Sequence, residues 1–141
     1  MGLILDSSPL IADEKRKFDL KAFLATRNET VVIAAITASE LLHGVHRAMD
    51  AGRRRKRMDH VEWILSEFEV VPFALDEARH HARIWAELAS KGQIIGGNDL
   101  LIAATALSQG YTLATLNIDE FARVPGLALV ERNVLQAFQT K

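Results

Sequence analysis

The sequence predicts one α/β domain with a mostly parallel sheet of about five short strands flanked by helices. Short apolar runs rich in Val, Ile and Leu alternate with longer segments that have helical periodicity. The apolar runs lack charged residues, as expected for strands that are buried on both faces. The whole chain, residues 1–141, is short enough to form a single domain. The predicted strands are residues 3–5, 31–34, 70–73, 111–115 and 127–130.

Helix boundaries are predicted from capping residues and from the spacing of apolar side chains. Ser8 and Pro9 begin a helix that continues, with one polar interruption, until shortly before the second strand. Thr37 and Glu40 match a capping box at the start of a helix after the second strand. Gly52 and the basic residues after it indicate a junction between two helices. Three more helical segments are predicted at residues 58–68, 76–91 and 98–109.

Composition excludes several classes of protein. The chain contains no cysteine, which rules out disulfides, thiolate catalysis and cysteine-ligated zinc. It is 49% hydrophobic and 25% charged, which is typical of a globular domain. There is no run of about 18 apolar residues to span a membrane, and no basic and apolar N-terminal segment to direct secretion. We therefore expect a cytoplasmic protein without a membrane segment.

Positive charge is concentrated in one short segment. The formal net charge is −1, yet five of the 17 Lys and Arg residues are consecutive: Arg53, Arg54, Arg55, Lys56 and Arg57. A local basic patch can attract nucleic acid even when the whole molecule is close to neutral. The same run is also typical of a solvated helix face. Both RNA binding and plain solvation remain open for this segment.

An acidic residue stands at the start of an otherwise apolar helix. Gly96 and Gly97 form a flexible turn, which Asn98 and Asp99 follow. Residues 100–107 are almost entirely apolar, which predicts a buried helix. Asn98 or Asp99 can cap this helix by accepting hydrogen bonds from its free N–H groups. The alternative is that Asp99 points into a cleft as a functional acid.

Three further polar residues occupy places where a parallel sheet binds ligands. Asp6 follows the first strand, Glu40 lies one helical turn beyond the second, and Asn117 follows the fourth. Each also has an interpretation as a cap or turn residue, and for Asn117 this is a capping box with Glu120. Parallel sheets bind ligands outside the carboxyl ends of their strands. We therefore expect these residues to meet Asp99 at one edge of the sheet.

Converging carboxylates predict a cation. Like charges that approach one another stay ionised only if a counter-charge is present; otherwise protons bind. Oxygen ligands without cysteine favour Mg²⁺ or Mn²⁺, and such ions commonly take a phosphate as a further ligand. The chemistry that follows is metal-assisted hydrolysis of a phosphodiester.

Four segments in order resemble the PIN-domain ribonucleases, and most of all the VapC-type toxins of type II toxin–antitoxin pairs. The resemblance extends over about residues 3–130. Each motif alone is weak, but four of them in this order and at these spacings are specific. The segments are LILDSS at residues 3–8, ITASELLHGV at 36–45, GNDLLIAA at 97–104 and LATLNIDEF at 113–121.

The resemblance implies a PIN-like three-layer domain. It also implies an endoribonuclease that depends on Mg²⁺ or Mn²⁺ and cleaves structured RNA, such as tRNA or ribosomal RNA. Asp6, Glu40 and Asp99 would be the metal-site acids, and Glu40 would orient or deprotonate the attacking water. The implied partners are a second copy of the chain and a small antitoxin that blocks the site. The supporting residues would be Ser8 beside Asp6, with Thr115 and Asn117 completing the pocket.

One position departs from the pattern of this family. Asn117 stands where many relatives carry aspartate, and a neutral amide lowers the negative charge of the site. Asp119, two residues further on, is a candidate to compensate. The alternative function is therefore a catalytically weak PIN module that binds nucleic acid together with a DNA-binding antitoxin.

Overall fold

A parallel sheet of four strands forms the centre of the protein. The structure is a computed structural model that describes residues 1–140. Its strands are β1 (Gly2–Leu5), β2 (Thr30–Ala34), β3 (Glu69–Val71) and β4 (Thr112–Ala114). The strand order across the sheet is β3-β2-β1-β4, and every neighbouring pair is parallel. The carboxyl ends of all four strands therefore meet at one edge.

Eight helices connect and cover the strands within residues 1–140. They are α1 (Ser7–Glu14), α2 (Leu20–Ala25), α3 (Ala35–Arg47), α4 (Ala51–Glu67), α5 (Leu75–Ser90), α6 (Gly97–Gln109), α7 (Ile118–Phe121) and α8 (Arg132–Gln136). None of these helices combines the length and the apolar character that a membrane crossing requires.

The sheet separates two hydrophobic cores. Leu3 and Leu5 of β1 belong to one core and Ile4 to the other, because successive side chains of a strand point to opposite faces. All three are fully buried. Helices α1 to α4 and α8 supply buried side chains to the first core, whereas α5, α6 and α7 supply the second. This arrangement confirms the predicted α/β class, with helices on both faces of a parallel sheet.

The predicted fifth strand is wrong. Residues 127–130 make a single parallel bridge to β4, between Leu129 and Leu113. Leu113 N donates a hydrogen bond to Ala128 O, and Val130 N donates one to Leu113 O, both at 2.9 Å. The chain then enters α8, so the contact ends before a strand can form. The other four predicted strands agree with the structure to within two residues at each end.

Two predicted helix boundaries are also wrong. The segment predicted as one interrupted helix before β2 is two separate helices, because Arg16 has a φ of +60° and the helical path ends there. The junction predicted at Gly52 is instead the first turn of α4. Asp50 caps this helix, since its Oδ1 accepts hydrogen bonds from Gly52 N at 2.7 Å and Arg53 N at 3.4 Å. The whole basic run therefore lies on the first two turns of α4.

The caps predicted at the functional acids do not form. α3 begins two residues before Thr37, so Thr37 and Glu40 lie within the helix and make no capping box. α6 has Gly96 as its N-cap, and neither Asn98 nor Asp99 caps it. Because these helices start earlier than predicted, the carboxylates of Glu40 and Asp99 are not used to close helix ends.

Candidate active site

Asp6 lies at the carboxyl end of β1, in the middle of the sheet. Its backbone N donates to Ala114 O at 3.0 Å, which extends the pairing of β1 with β4 by one residue. The side chain is buried, with 4% of its surface exposed. Asp6 Oδ2 accepts hydrogen bonds from Ser8 Oγ at 2.8 Å and from Thr115 Oγ1 at 2.7 Å. The hydroxyls of Ser8 and Thr115 thus hold the carboxylate in one orientation.

These two hydroxyls are themselves oriented by the backbone after β4. Ser8 Oγ accepts a hydrogen bond from Leu116 N, and Thr115 Oγ1 accepts one from Asn117 N, both at 3.0 Å. A hydroxyl can donate one hydrogen bond and accept others. The hydroxyls of Ser8 and Thr115 each donate to Asp6 and accept from a backbone N–H. The structure therefore brings Ser8 and Thr115, two residues that the family resemblance implied as supporting ones, into contact with Asp6.

Glu40 reaches the same edge from the first turns of α3. Its Oε2 accepts a hydrogen bond from Asn98 Nδ2 at 3.4 Å. Its Oε1 is buried and has no hydrogen-bond partner among residues 1–140. Burial raises the pKa of Glu40, and the nearby charge of Asp6 adds to this, against the opposing effect of the Asn98 hydrogen bond. Glu40 therefore presents one oxygen that lacks a partner and binds protons more readily than an exposed glutamate.

Asp99 is the most strongly perturbed acid of the site. Its pKa is raised from 3.8 to about 7, and burial is the largest cause. The charges of Asp6, Glu120 and Glu40, in that order of size, contribute to the same shift. Three carboxylates from other parts of the chain are thus close enough to Asp99 to repel its negative charge. This geometry agrees with the expectation that distant acids meet at one edge of the sheet.

Glu120 is a member of this group that the sequence interpretation missed. Its Oε1 accepts a hydrogen bond from Gly96 N at 2.7 Å, and its Oε2 accepts one from Asn117 Nδ2 at 2.8 Å. These bonds, that from Gly96 above all, lower the pKa of Glu120, so it stays ionised beside Asp99. The capping-box pattern assigned Glu120 to its neighbour Asn117, and in sequence nothing linked it to a loop more than 20 residues earlier.

The other predicted supporting acid lies elsewhere. Asp119 is highly exposed and pairs with Arg132, with 2.6 Å between Asp119 Oδ1 and Arg132 Nη2. It is not among the charges that raise the pKa of Asp99. Asn117, for its part, directs its amide to Glu120. The compensating negative charge beside Asn117 therefore comes from Glu120 and not from Asp119.

The basic run divides into residues that hold the fold and residues that face outward. Arg57 donates to Glu14 Oε2 at 3.2 Å and to Gly44 O at 2.9 Å, which links α4 to α1 and α3. Arg54 donates to Ala48 O at 2.6 Å. The rest of the run is exposed: Arg53, Arg55 and Lys56.

The acids at this edge suit a hard divalent cation. They supply carboxylate oxygens, which Mg²⁺ and Mn²⁺ prefer. Glu40 Oε1 is a buried acceptor without a partner in the described residues, and the mutual repulsion at Asp99 is the kind that a cation relieves. Among residues 1–140, no three Asp, Glu or His side chains already form a finished metal cluster.

Comparison with known proteins identifies the family of the chain. The model of the PIN domain family matches residues 3–127. Ribonuclease VapC1 from Rickettsia felis is 38% identical over 130 residues, which cover 92% of this chain and 96% of the relative. The tRNA(fMet)-specific endonuclease VapC from Salmonella typhimurium is 32% identical with the same coverage.

A solved structure gives the same result. It is that of VapBC-5 from Mycobacterium tuberculosis, described as a member of the VapBC family of toxin–antitoxin systems. It superposes with a TM-score of 0.74 at 32% identity, covering 92% of this chain and 95% of the other. The chain therefore belongs to the PIN domain family, within its VapC group.

Proposed function

We propose that this protein is an endoribonuclease that uses Mg²⁺ or Mn²⁺ to hydrolyse phosphodiester bonds of structured RNA, and that it is the toxin of a toxin–antitoxin pair. The observation that carries the proposal is the meeting of Asp6, Glu40 and Asp99 at one edge of the sheet, with Glu120 beside them. Such a group of carboxylates is destabilising in itself, so a functional site is the best explanation for it.

Asp6 and Asp99 are the residues that would hold the cation directly, and Glu40 would hold it through the attacking water. When bound, the cation supplies two effects: it lowers the pKa of a water molecule and stabilises negative charge on the phosphate. Ser8 and Thr115 contribute by holding Asp6 in one orientation through two hydroxyl hydrogen bonds. A carboxylate that cannot rotate freely gives a more precise site than a mobile one.

Glu40 is the proposed proton acceptor. The Asn98 amide occupies Oε2, which leaves Oε1 to accept a proton from the attacking water. A raised pKa makes Glu40 a stronger base than an exposed glutamate, provided that it is ionised when the substrate binds. The water oxygen forms a bond to phosphorus, the bond to the leaving oxygen breaks, and the proton of the water passes to Glu40. The leaving oxygen takes a proton from solvent water and departs as a hydroxyl group.

The substrate and partners follow from the relatives. The Rickettsia felis relative is named a ribonuclease and the Salmonella relative a tRNA(fMet)-specific endonuclease, so tRNA(fMet) is the first candidate substrate. The VapBC-5 structure is described as part of a toxin–antitoxin system, so we propose a small antitoxin as partner. We also propose that the protein forms a homodimer and acts in the cytoplasm.

The alternative, a weak module that only binds nucleic acid, depended on the neutral amide of Asn117. Glu120 weakens that argument. Its carboxylate stands beside Asp99 and accepts the Asn117 amide, so the site retains a fourth negative charge despite the substitution. Cleavage therefore explains the arrangement better than binding alone.

The proposal is tested by incubating the protein with a tRNA(fMet) transcript and resolving the products on a denaturing gel. We expect cleavage with Mg²⁺ or Mn²⁺ and none with EDTA. Glu40→Gln and Asp99→Asn should each slow cleavage by about a hundredfold or more. Asp119→Asn is the matched control, because it makes the same chemical change at an exposed acid, and it should cleave like the wild type.

Two results would count against different parts of the proposal. If Glu40→Gln and Asp99→Asn cleave as fast as Asp119→Asn, the site assignment is wrong. If the wild type with metal cleaves neither tRNA(fMet) nor a panel of other tRNAs and ribosomal RNA, the ribonuclease activity itself is refuted.

A further inference from the structure

A groove leads away from Glu40 between α1, α3 and α4. Its inner part is a cavity of about 100 Å³ whose lining includes Glu40, Lys15, Arg47 and Arg57. Its outer part is a cavity of about 460 Å³ between the end of α1 and the first turns of α4. Glu14, Lys15 and Arg57 line both parts, so the two adjoin each other. We name this feature the basic groove; its cations are Lys15, Arg16, Arg47, Arg53, Lys56 and Arg57.

Most of the positive charge in the basic groove is not neutralised. The two carboxylates of its outer part are already engaged: Glu14 pairs with Arg57 at 3.2 Å, and Asp13 lies 3.0 Å from His60 Nε2. Within residues 1–140, no carboxylate pairs with any of the other cations of the groove. A chain with a net charge of −1 therefore carries a concave surface of strongly positive charge next to its acidic site.

Only some of the five consecutive basic residues of α4 line the groove. Arg53, Lys56 and His60 follow one another at helical spacing, so they lie on one face, and all three line the outer part. Arg55 lines neither part of the groove. Arg54 donates to Ala48 O and thereby helps to fix the connection between α3 and α4.

The position of these charges on α4 is unfavourable without a ligand. The N-terminus of a helix carries a partial positive charge and is stabilised by anions and destabilised by cations. α4 has no acidic residue in its first turn, where Arg53 lies. Asp50 at the N-cap offsets only part of this repulsion. An anion held in the groove would relieve the rest, which favours a ligand over plain solvation.

We infer that the basic groove binds the phosphate backbone of the RNA and guides one strand to the acids at Glu40. Glu40 is one of the residues that line the inner part, so a strand that follows the groove inward reaches the acidic site. From Arg53 to His60 the helix rises about 10 Å, which is longer than the spacing of successive phosphates in one strand, so this row of side chains can contact more than one phosphate. Arg16, held at a φ of +60°, supplies a cation from the opposite wall. This inference rests on the proposed ribonuclease function and names the path of its substrate.

The test measures binding separately from cleavage. Affinity for a fluorescein-labelled tRNA(fMet) transcript is measured by fluorescence anisotropy in EDTA, at several salt concentrations, for the wild type and exposed-residue variants. Lys56→Gln should weaken binding about fivefold at 0.1 M salt and make the slope of log affinity against log salt about 0.7 less steep. Arg53→Gln combined with Lys56→Gln should weaken it about 25-fold.

Matched controls remove the same charge outside the groove. Arg55→Gln and the double variant Arg55→Gln with Lys91→Gln should bind within about twofold of the wild type, because neither residue lines the groove. Equal losses in the Lys56 and Arg55 variants would overturn the inference, since they would reflect net charge alone. If wild type binds with this residue pattern but cleaves no RNA, the groove stands and the ribonuclease proposal falls. If the wild type cleaves RNA but Lys56→Gln binds RNA as tightly as the wild type, the ribonuclease proposal stands and the groove inference falls.

Discussion

Asp99→Asn should stabilise the metal-free protein, although it removes a residue of the proposed site. Asn keeps the shape of the side chain and still can hydrogen-bond to Glu120, but it removes the charge that Asp6, Glu120 and Glu40 repel. The pKa of Asp99 is raised from 3.8 to about 7. At about 1.36 kcal/mol per pKa unit this sets a ceiling of about 4 kcal/mol. Because the side chain is only partly buried, solvent screening reduces the expected gain to about 1–2 kcal/mol.

The effect has a defined dependence on pH. An acid with a raised pKa in the folded state is destabilising where it is ionised. Asp99 therefore costs the wild type no stability below pH 3.8, and its cost grows until the pH reaches about 7. The advantage of Asp99→Asn should therefore grow between about pH 4 and pH 7 and stay constant above that. Urea denaturation in EDTA at a series of pH values measures it.

Asp119→Asn is the control for this experiment. It loses one exposed ion pair with Arg132, which contributes little, so its stability should differ from wild type by less than about 0.5 kcal/mol. If Asp99→Asn is no more stable than Asp119→Asn at pH 8 in EDTA, Asp99 is not held among other carboxylates, and the electrostatic reasoning about the site is refuted.

Three further predictions concern the groups around these acids. Thr115→Val should destabilise the protein by about 1–3 kcal/mol and slow RNA cleavage, because it removes the hydrogen bond from the Thr115 hydroxyl to the buried Asp6. Denaturation and cleavage assays measure both effects, and Thr115→Ser, which keeps the hydroxyl, should restore both. Glu120→Gln should lower the pKa of Asp99, because one neighbouring negative charge is lost. NMR titration in EDTA measures that pKa, and an unchanged value would contradict the prediction. Arg16→Gly should raise the thermal midpoint, because glycine adopts positive φ without strain, yet weaken RNA binding; a gain in both would count against a role for Arg16 in the groove.

The position of the acidic edge was predictable because it depends on strand ends. Asp6 follows a run of apolar residues too short and too buried to be anything but a strand, and a parallel sheet brings such ends together. The apolar helix after Asp99 and the glycine turn before it likewise placed that acid at a helix start. These are local patterns with one physical interpretation each.

The predictions that were wrong depend on where helices and strands begin. Thr37 and Glu40 resemble a capping box, but α3 starts directly from β2, so no free helix end remains at that position. The segment at residues 127–130 has the composition of a strand, yet it is too closely followed by α8 to pair over more than one residue. A short sequence pattern does not show how close the neighbouring helix or strand lies along the chain.

Individual long-range side-chain contacts could not be predicted from the sequence. Glu120 joins the site through Gly96 N, a contact that arises only when the loop before α6 folds over α7. The five consecutive basic residues look equivalent in sequence, whereas in the structure Arg57 holds three helices together and Lys56 lines a groove. Only the packing of α4 against α1 and α3 separates these roles.

Binding of Mn²⁺ at pH 7.5 tests the central claim most directly, because it asks whether the acids at the carboxyl edge hold a cation, independently of any RNA. Free Mn²⁺ is followed by electron paramagnetic resonance as protein is added. We predict that wild type and Asp119→Asn take up Mn²⁺ with the same affinity and that Asp99→Asn binds it at least about tenfold more weakly. Equal Mn²⁺ uptake by Asp99→Asn and Asp119→Asn would contradict the account.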